Sequence, residues 1–342
     1  MSHQVTLQPS GQSFSSSEDE TILEAALAAE LIIPYGCKDG ACGSCKARLI
    51  SGEVRLDSYS ESALSETDKA AGQTLLCRAH ALGDVEVEVR NVTRAGDIPI
   101  KKLPCRVQHL EKLADDVMRL DVKLPASEQF RFRAGQYIDF LLAGGKRRSF
   151  SIANAPHTAD HLELHIRLIE GGEFTGHVFG QMKEKDILRF EGPLGSFFLR
   201  EDSDRPIILL AGGTGFAPIK GIIEYAIETG VTRPMTLYWG ARNRAGLYME
   251  ALAAGWEQQL PGFKFIPVLS DTPQEDGWSG RTGLVHKAVM ADHEDLSGHE
   301  VYACGAPAMI DAARTAFISA CHLPEDAFFA DSFTFAADSQ TA

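Results

Sequence analysis

The chain has 342 residues, 44% hydrophobic and 23% charged, which excludes a disordered, collagen-like or coiled-coil protein and leaves room for two or three globular domains. Its 47 acidic against 33 basic residues give a net charge of −14, the wrong sign for holding nucleic acid through its phosphates. Seven cysteines are too few for a disulfide scaffold, yet four of them fall between Cys37 and Cys77.

From the N-terminus, residues 4–17 alternate as two short strands around Pro9-Ser10-Gly11, and Thr21–Glu30 follows with apolar residues at helical spacing. A Gly-rich loop, a strand over Lys46–Val54 and the strict alternation Val85-Glu86-Val87-Glu88-Val89 complete an α+β unit over residues 1–95. Asn91–Pro104 mixes Gly, Pro and basic residues without periodicity and reads as a linker. Over 102–200, short apolar strands alternate with turn signals such as Ala143-Gly144-Gly145 and Gly192-Pro193, which predicts a small antiparallel barrel. Over 201–342, an apolar strand, a Gly-rich turn, a helix and the strand MTLYWG predict a parallel α/β nucleotide-binding domain. No secretory signal or stretch long enough to span a bilayer is present, so a cytoplasmic protein without a membrane anchor is expected.

Cys37, Cys42 and Cys45 are spaced C-x4-C-x2-C, and Cys77 follows alone. This is the plant-type [2Fe–2S] spacing, in which one loop supplies three thiolates and a distant segment the fourth. Gly36, Gly40 and Gly43 suit a loop whose backbone N–H groups approach sulfur. The alternative is a four-cysteine zinc site, but such sites pair two short knuckles and Cys77 has no neighbouring cysteine. The segment YGCKDGACGSCKARLISGEV resembles plant-type ferredoxins over the first 90 residues, which implies a β-grasp fold.

Arg148-Ser149-Phe150-Ser151 offers a cation for a phosphate, a ring to pack on a flavin and a hydroxyl to bond it. Some 20 residues on, Gly171-Gly172-Glu173-Phe174-Thr175 starts a helix with Thr175 as the expected N-cap over a pyrophosphate. Gly212-Gly213-Thr214-Gly215-Phe216-Ala217-Pro218 follows a buried strand, and it lacks the Lys-Ser/Thr of an NTPase loop. Cys304-Gly305-Ala306-Pro307 ends another apolar strand; a small buried hydrophobe is the plainer reading of Cys304, as it is of Cys105 and Cys321.

Together these segments resemble the ferredoxin–NADP reductase superfamily, and with the ferredoxin part the resemblance covers nearly the whole chain. It implies that Arg148 binds the FAD pyrophosphate, Phe150 stacks on the isoalloxazine and Ser151 faces its reactive N5 edge, with Phe standing where Tyr is commoner. His165 and Arg167 either touch the flavin or simply occupy a surface strand. Gly213, Thr214, Gly215 and Pro218 would form the nicotinamide-dinucleotide loop, and Cys304 with Gly305 would lie beside the nicotinamide. Phe333, in FADSF, is expected near the flavin or in the core. Arg242 suits a 2′-phosphate, whereas similar domain orders are mostly NADH-linked, so NADH is expected with NADPH as the alternative.

The domain order resembles the reductase components of multicomponent oxygenases and deoxysugar dehydrases. The implied activity is electron transfer from NADH through FAD and the [2Fe–2S] cluster to an acceptor protein, a dehydrase or oxygenase component. A reductase of free flavin or ferric chelates, and a non-catalytic redox sensor, are the competing readings.

Overall fold

A computed structural model of the chain describes residues 2–94, 96, 98–158, 160–271 and 277–334. They form two compact units, one reaching to Pro99 and including Ser332–Thr334, the other covering Ile100–Asp331. The expected segment ends at Ala95 and Ala342 lie outside the described residues.

In the first unit, Ser2–Gln8 and Gln12–Ser17 pair as a hairpin whose turn uses Gly11 at φ +69°. Thr21 then starts the helix Ile22–Ala28 through a capping box: its hydroxyl accepts the Glu24 N–H, and the Glu24 carboxylate accepts the Thr21 N–H. Ile22, Leu23, Ala25 and Ala26 form the buried face. The five-stranded sheet runs in the order Gln12–Ser17, Ser2–Gln8, Val85–Glu88, Lys46–Ser51, Gln73–Leu75. Only Ser2–Gln8 with Val85–Glu88 is parallel, so the sheet is mixed, as a β-grasp requires.

The second unit begins with six antiparallel strands in the order Arg147–Ser151, Tyr137–Leu141, Ile187–Leu194, Lys101–Ala114, Val117–Lys123, His161–Arg167. A bridge between Ile152 and Leu164 joins the two edges and closes the barrel around Ile138, Phe140, Leu164, Ile166 and Phe190. Gly192-Pro193, expected as a turn, lies inside the strand Ile187–Leu194. There the register slips, with Tyr137 opposite Leu194 and Asp139 opposite Glu191, and a bulge is where a strand tolerates a residue with no N–H to donate.

The remainder of this unit is a sheet in the order Arg281–Thr282, Phe263–Leu269, Met235–Ala241, Ile207–Gly212, Glu300–Gly305, Phe328–Ser332. The first five strands are parallel, and Ile207–Ala211 is buried along its whole length, which explains its unbroken apolar run. From Ile207–Gly212 the chain moves to Met235–Ala241 on one side and later to Glu300–Gly305 on the other. The crevice beyond the carboxyl ends of these central strands is therefore a topological switch point, where open α/β sheets bind ligands. Among the described residues no helix is long and apolar enough to cross a membrane.

Candidate cofactor sites

The cysteine loop is organised by backbone N–H groups aimed at sulfur. Ala41 and Cys42 both donate to Cys37 Sγ at 3.3 Å, while Cys37 and Ser44 donate to Cys42 Sγ at 3.4 Å. Cys45 and Cys77 form a second hydrogen-bonded pair, brought together because the Leu76 N–H donates to the Cys45 carbonyl at 3.2 Å. Gly40 (φ +80°) has no room for a side chain: a Cβ there would lie 2.9 Å from Tyr59 Cβ. The hydrogen bond from Cys37 holds the Cys42 thiol down at about 6 and correspondingly pushes Cys37 up. Among the described residues no three His, Cys, Asp or Glu side chains converge on one point. Two hydrogen-bonded thiol pairs, the first also receiving backbone N–H groups, fit a two-iron cluster with two thiolates per iron.

In the barrel, strand alternation splits the flavin motif. Arg148 and Phe150 share one face; Ser149 and Ser151 share the other, because side chains change sides at every residue. Phe150 is half-buried, its ring 5.9 Å from Phe140 and 5.4 Å from Phe174, which leaves part of it open for a planar partner. Ser149 donates to Asp139 Oδ1 at 2.6 Å, and the buried Ser151 donates to Asp331 Oδ2 at 3.4 Å. The helix Glu173–Gly180 is capped at Gly172 and not at Thr175. Thr175 lies in the first turn, where its hydroxyl accepts the Ile169 N–H at 3.2 Å and braces the preceding bend. Gly172 has no side chain with which to cap the first-turn N–H groups, an arrangement that an anionic pyrophosphate fits.

At the switch point two turns lie back to back. A Cβ on Gly215 would sit 2.1 Å from the Cys304 carbonyl oxygen, and one on Gly305 would sit 3.2 Å from Gly212 Cα. Only glycine permits this approach. Thr214 is buried within the turn, and Pro218 is buried in the first turn of the helix Phe216–Thr229, where a missing N–H costs nothing. Burial keeps the Cys304 thiol protonated, with the Asp331 charge acting in the same direction, so Cys304 packs and does not attack.

Arg167 was expected at the flavin or on a surface strand, and its guanidinium is found against the Gly212–Gly215 turn, 3.2 Å from the position of a Gly213 Cβ, while it pairs with Asp116 at 3.2 Å. Both nitrogens of the buried His165 are engaged by protein, Nε2 with Glu163 Oε1 at 2.8 Å and Nδ1 with the Tyr248 hydroxyl at 2.9 Å. Arg242 is exposed at the end of the strand Met235–Ala241, and Phe333 is half-buried just after Phe328–Ser332.

Glu163, Lys220 and Tyr248 escape sequence reasoning. The buried Glu163 carboxylate meets His165, Lys220 Nζ at 3.2 Å and Arg119 Nη2 at 3.5 Å. Burial alone would raise its pKa; the His165 hydrogen bond and the Lys220 and Arg119 charges outweigh it and hold it at about 2. Lys220, on the helix after the Gly212–Gly215 turn, also donates to the Ala153 carbonyl at 3.2 Å, so this cluster ties the barrel to the α/β lobe. The only signals for it were a lysine inside the apolar run IKGII and a glutamate in a buried strand.

The 2Fe-2S iron-sulfur cluster binding domain matches residues 5–82, the oxidoreductase FAD-binding domain 104–199, and the oxidoreductase NAD-binding domain 209–315. The chain is 44% identical over 334 residues, 97% of its length and 99% of the relative's, to the CDP-6-deoxy-L-threo-D-glycero-4-hexulose-3-dehydrase reductase of Yersinia pestis. The chain belongs to the iron–sulfur flavoprotein reductases. It is also similar to the phenol 2-monooxygenase reductase component DmpP of Pseudomonas sp. (strain CF600), at 36% identity over 99% of this chain and 96% of that one. Among solved structures, the Amycolatopsis cytochrome P450 reductase GcoB superposes with a TM-score of 0.79 at 34% identity, covering 98% of this chain and all of that one. The reductase is an NAD(P)H-dependent oxidoreductase that passes electrons through FAD and a [2Fe–2S] cluster.

Proposed function

We propose that the reductase takes its electrons from NADH and delivers them singly, in the cytoplasm, to a separate acceptor protein that is a deoxysugar dehydrase or oxygenase component. What carries this reading is the 44% identity to a dehydrase reductase sustained across 97% of the chain, so that all three cofactor segments correspond in the same order. We assign residues 1–95 to the ferredoxin domain, 102–200 to the FAD domain and 201–342 to the nicotinamide domain.

Bound FAD supplies a hydride acceptor that releases electrons one at a time, and the cluster supplies a one-electron carrier. Cys37 with Cys42 would hold one iron, and Cys45 with Cys77 the other. Arg148 and the amides following Gly172 would neutralise the flavin pyrophosphate, with Thr175 bracing that bend. Phe150 would pack on the ring system, whereas Ser149 and Ser151 point to the opposite face of the strand and hold Asp139 and Asp331. Gly213, Thr214 and Gly215 would bring backbone close to the nucleotide pyrophosphate, with Pro218 in the first turn of the helix behind them. Cys304 and Gly305 would line the nicotinamide end and Arg242 the adenosine end, while Arg167 lies against the Gly212–Gly215 turn. His165 would act on the flavin edge through Glu163 and Tyr248, the two groups it bonds.

Replacing Cys42 by Ser tests the order of carriers. Cytochrome c reduction by NADH should be lost while ferricyanide reduction persists, since the latter draws on the flavin. Both activities surviving unchanged would place the electron path elsewhere.

A further inference from the structure

Tyr248 has no place in the motifs that define the three sites, yet it touches both lobes of the second unit. Its hydroxyl lies 2.9 Å from Nδ1 of His165, on the barrel strand His161–Arg167. The ionised Glu163 accepts the proton of His165 Nε2, which leaves Nδ1 as an acceptor and makes the Tyr248 O–H the donor. On the other lobe, Phe216 is the first residue of the helix that leaves the dinucleotide turn, and it stacks on Trp239 at 3.8 Å and 5°. Trp239 in turn donates from Nε1 to the Gly213 carbonyl at 3.0 Å, holding the turn itself.

Tyr248 meets all three of these rings edge-on: His165 at 5.4 Å and 84°, Phe216 at 5.9 Å and 85°, Trp239 at 5.2 Å and 87°. His165 is itself nearly parallel to Phe216, at 18°. One phenol ring therefore closes the side of a stack that runs from the flavin barrel to the dinucleotide turn. Edge-to-face contacts of this kind are directional, so the ring fixes the stack laterally and the hydroxyl fixes the ring.

We propose that Tyr248 is a positioning residue for hydride transfer: anchored to the barrel through His165 and Glu163, it clamps the Phe216–Trp239 stack and so sets where the dinucleotide turn presents the nicotinamide to the flavin. This rests on the reading of Gly212–Gly215 as the dinucleotide loop. The clamp acts on geometry and not on affinity, because Tyr248 holds the protein elements and not the nucleotide. Hydride transfer is steeply sensitive to placement, with a misplacement of about 1 Å costing up to about 100-fold.

The test uses the full chain with FAD and cluster loaded, comparing wild type with Tyr248→Phe, which keeps the ring and removes the donor. Anaerobic stopped-flow reduction by NADH should show the limiting rate of flavin reduction falling about tenfold, with the NADH dissociation constant within about threefold of wild type. Amide exchange at residues 213–216, measured on the full chain before cofactor loading, should quicken by about tenfold. His165→Phe, which keeps the stacked ring but offers no acceptor, should reproduce the rate loss, and the double variant should lose no more than either single one. Unchanged exchange and an unchanged limiting rate in Tyr248→Phe would overturn the proposal, as would a loss confined to NADH affinity. Failure of wild type to bind NADH would overturn the reading of the loop, and the proposal with it.

Discussion

Replacing Glu163 by Gln removes the one negative charge on which Arg119, Lys220 and His165 converge. Stripping one partner from a buried ion pair costs about 3–5 kcal/mol, because the remaining charge stays desolvated. Here both cations keep other carboxylates, Lys220 with Glu224 at 2.8 Å and Arg119 with Asp121 at 2.9 Å, which places the cost at the lower end. A second route gives a similar size: a carboxyl that titrates at about 2 instead of 4.5 contributes about 3 kcal/mol at neutral pH. For a unit of this size that is a fall in melting temperature of about 6–12 °C. Flavin fluorescence during thermal unfolding at pH 7 reports it, since free flavin is released as the barrel opens. The folded-state value lies below the unfolded one, so the stabilisation is complete above about 4.5 and is lost as pH falls toward about 2. The gap between wild type and Glu163→Gln should therefore narrow as pH falls through that window. A gap under about 2 °C at pH 7, or one that widens on acidification, would refute the reasoning.

The remaining predictions concern the turns and the surface. Gly215→Ala places a methyl 2.1 Å from the Cys304 carbonyl oxygen, a backbone atom that cannot yield, so NADH binding by titration should weaken at least about tenfold while the flavin stays bound. Residues 1–90 hold 14 acidic and 7 basic residues, and the basic ones at Lys46, Arg48, Arg55 and Lys69 already face carboxylates. The surplus negative charge should make reduction of the acceptor protein slow as salt rises, and a rate independent of ionic strength would show that charge does not steer docking.

What was legible in the sequence was local. The C-x4-C-x2-C loop, the helical spacing after Thr21 and the glycine-rich turn at 212–215 are each set by a few neighbouring residues, so spacing alone reports them. Errors arose where a local signal had two structural uses. Gly192-Pro193 looks like a turn, but a bulge accommodates the same pair inside a strand. Thr175 looks like a cap, but a hydroxyl in the first turn can bond backward to Ile169 as readily as it can cap. Arg167 was visible as a cation on an alternating strand. Its position against Gly213 depends on how barrel and nucleotide lobe meet, which no spacing encodes.

The Glu163 cluster makes the same point at larger scale. Its members stand in four separate stretches of the chain, at 119, 163–165, 220 and 248, and each residue alone has an ordinary explanation as a surface charge or a core aromatic. Motifs are readable because cofactors demand fixed chemistry over a few residues: thiolates for iron, glycines for a pyrophosphate. Distance and orientation between two cofactors carry no such demand on residue type, since any well-packed set of contacts can hold two lobes in register. The residues that govern the rate between the sites are therefore those with the weakest sequence signature. In this reductase they become visible through burial and partnership, in a carboxylate surrounded by cations and a phenol edge-on to three rings.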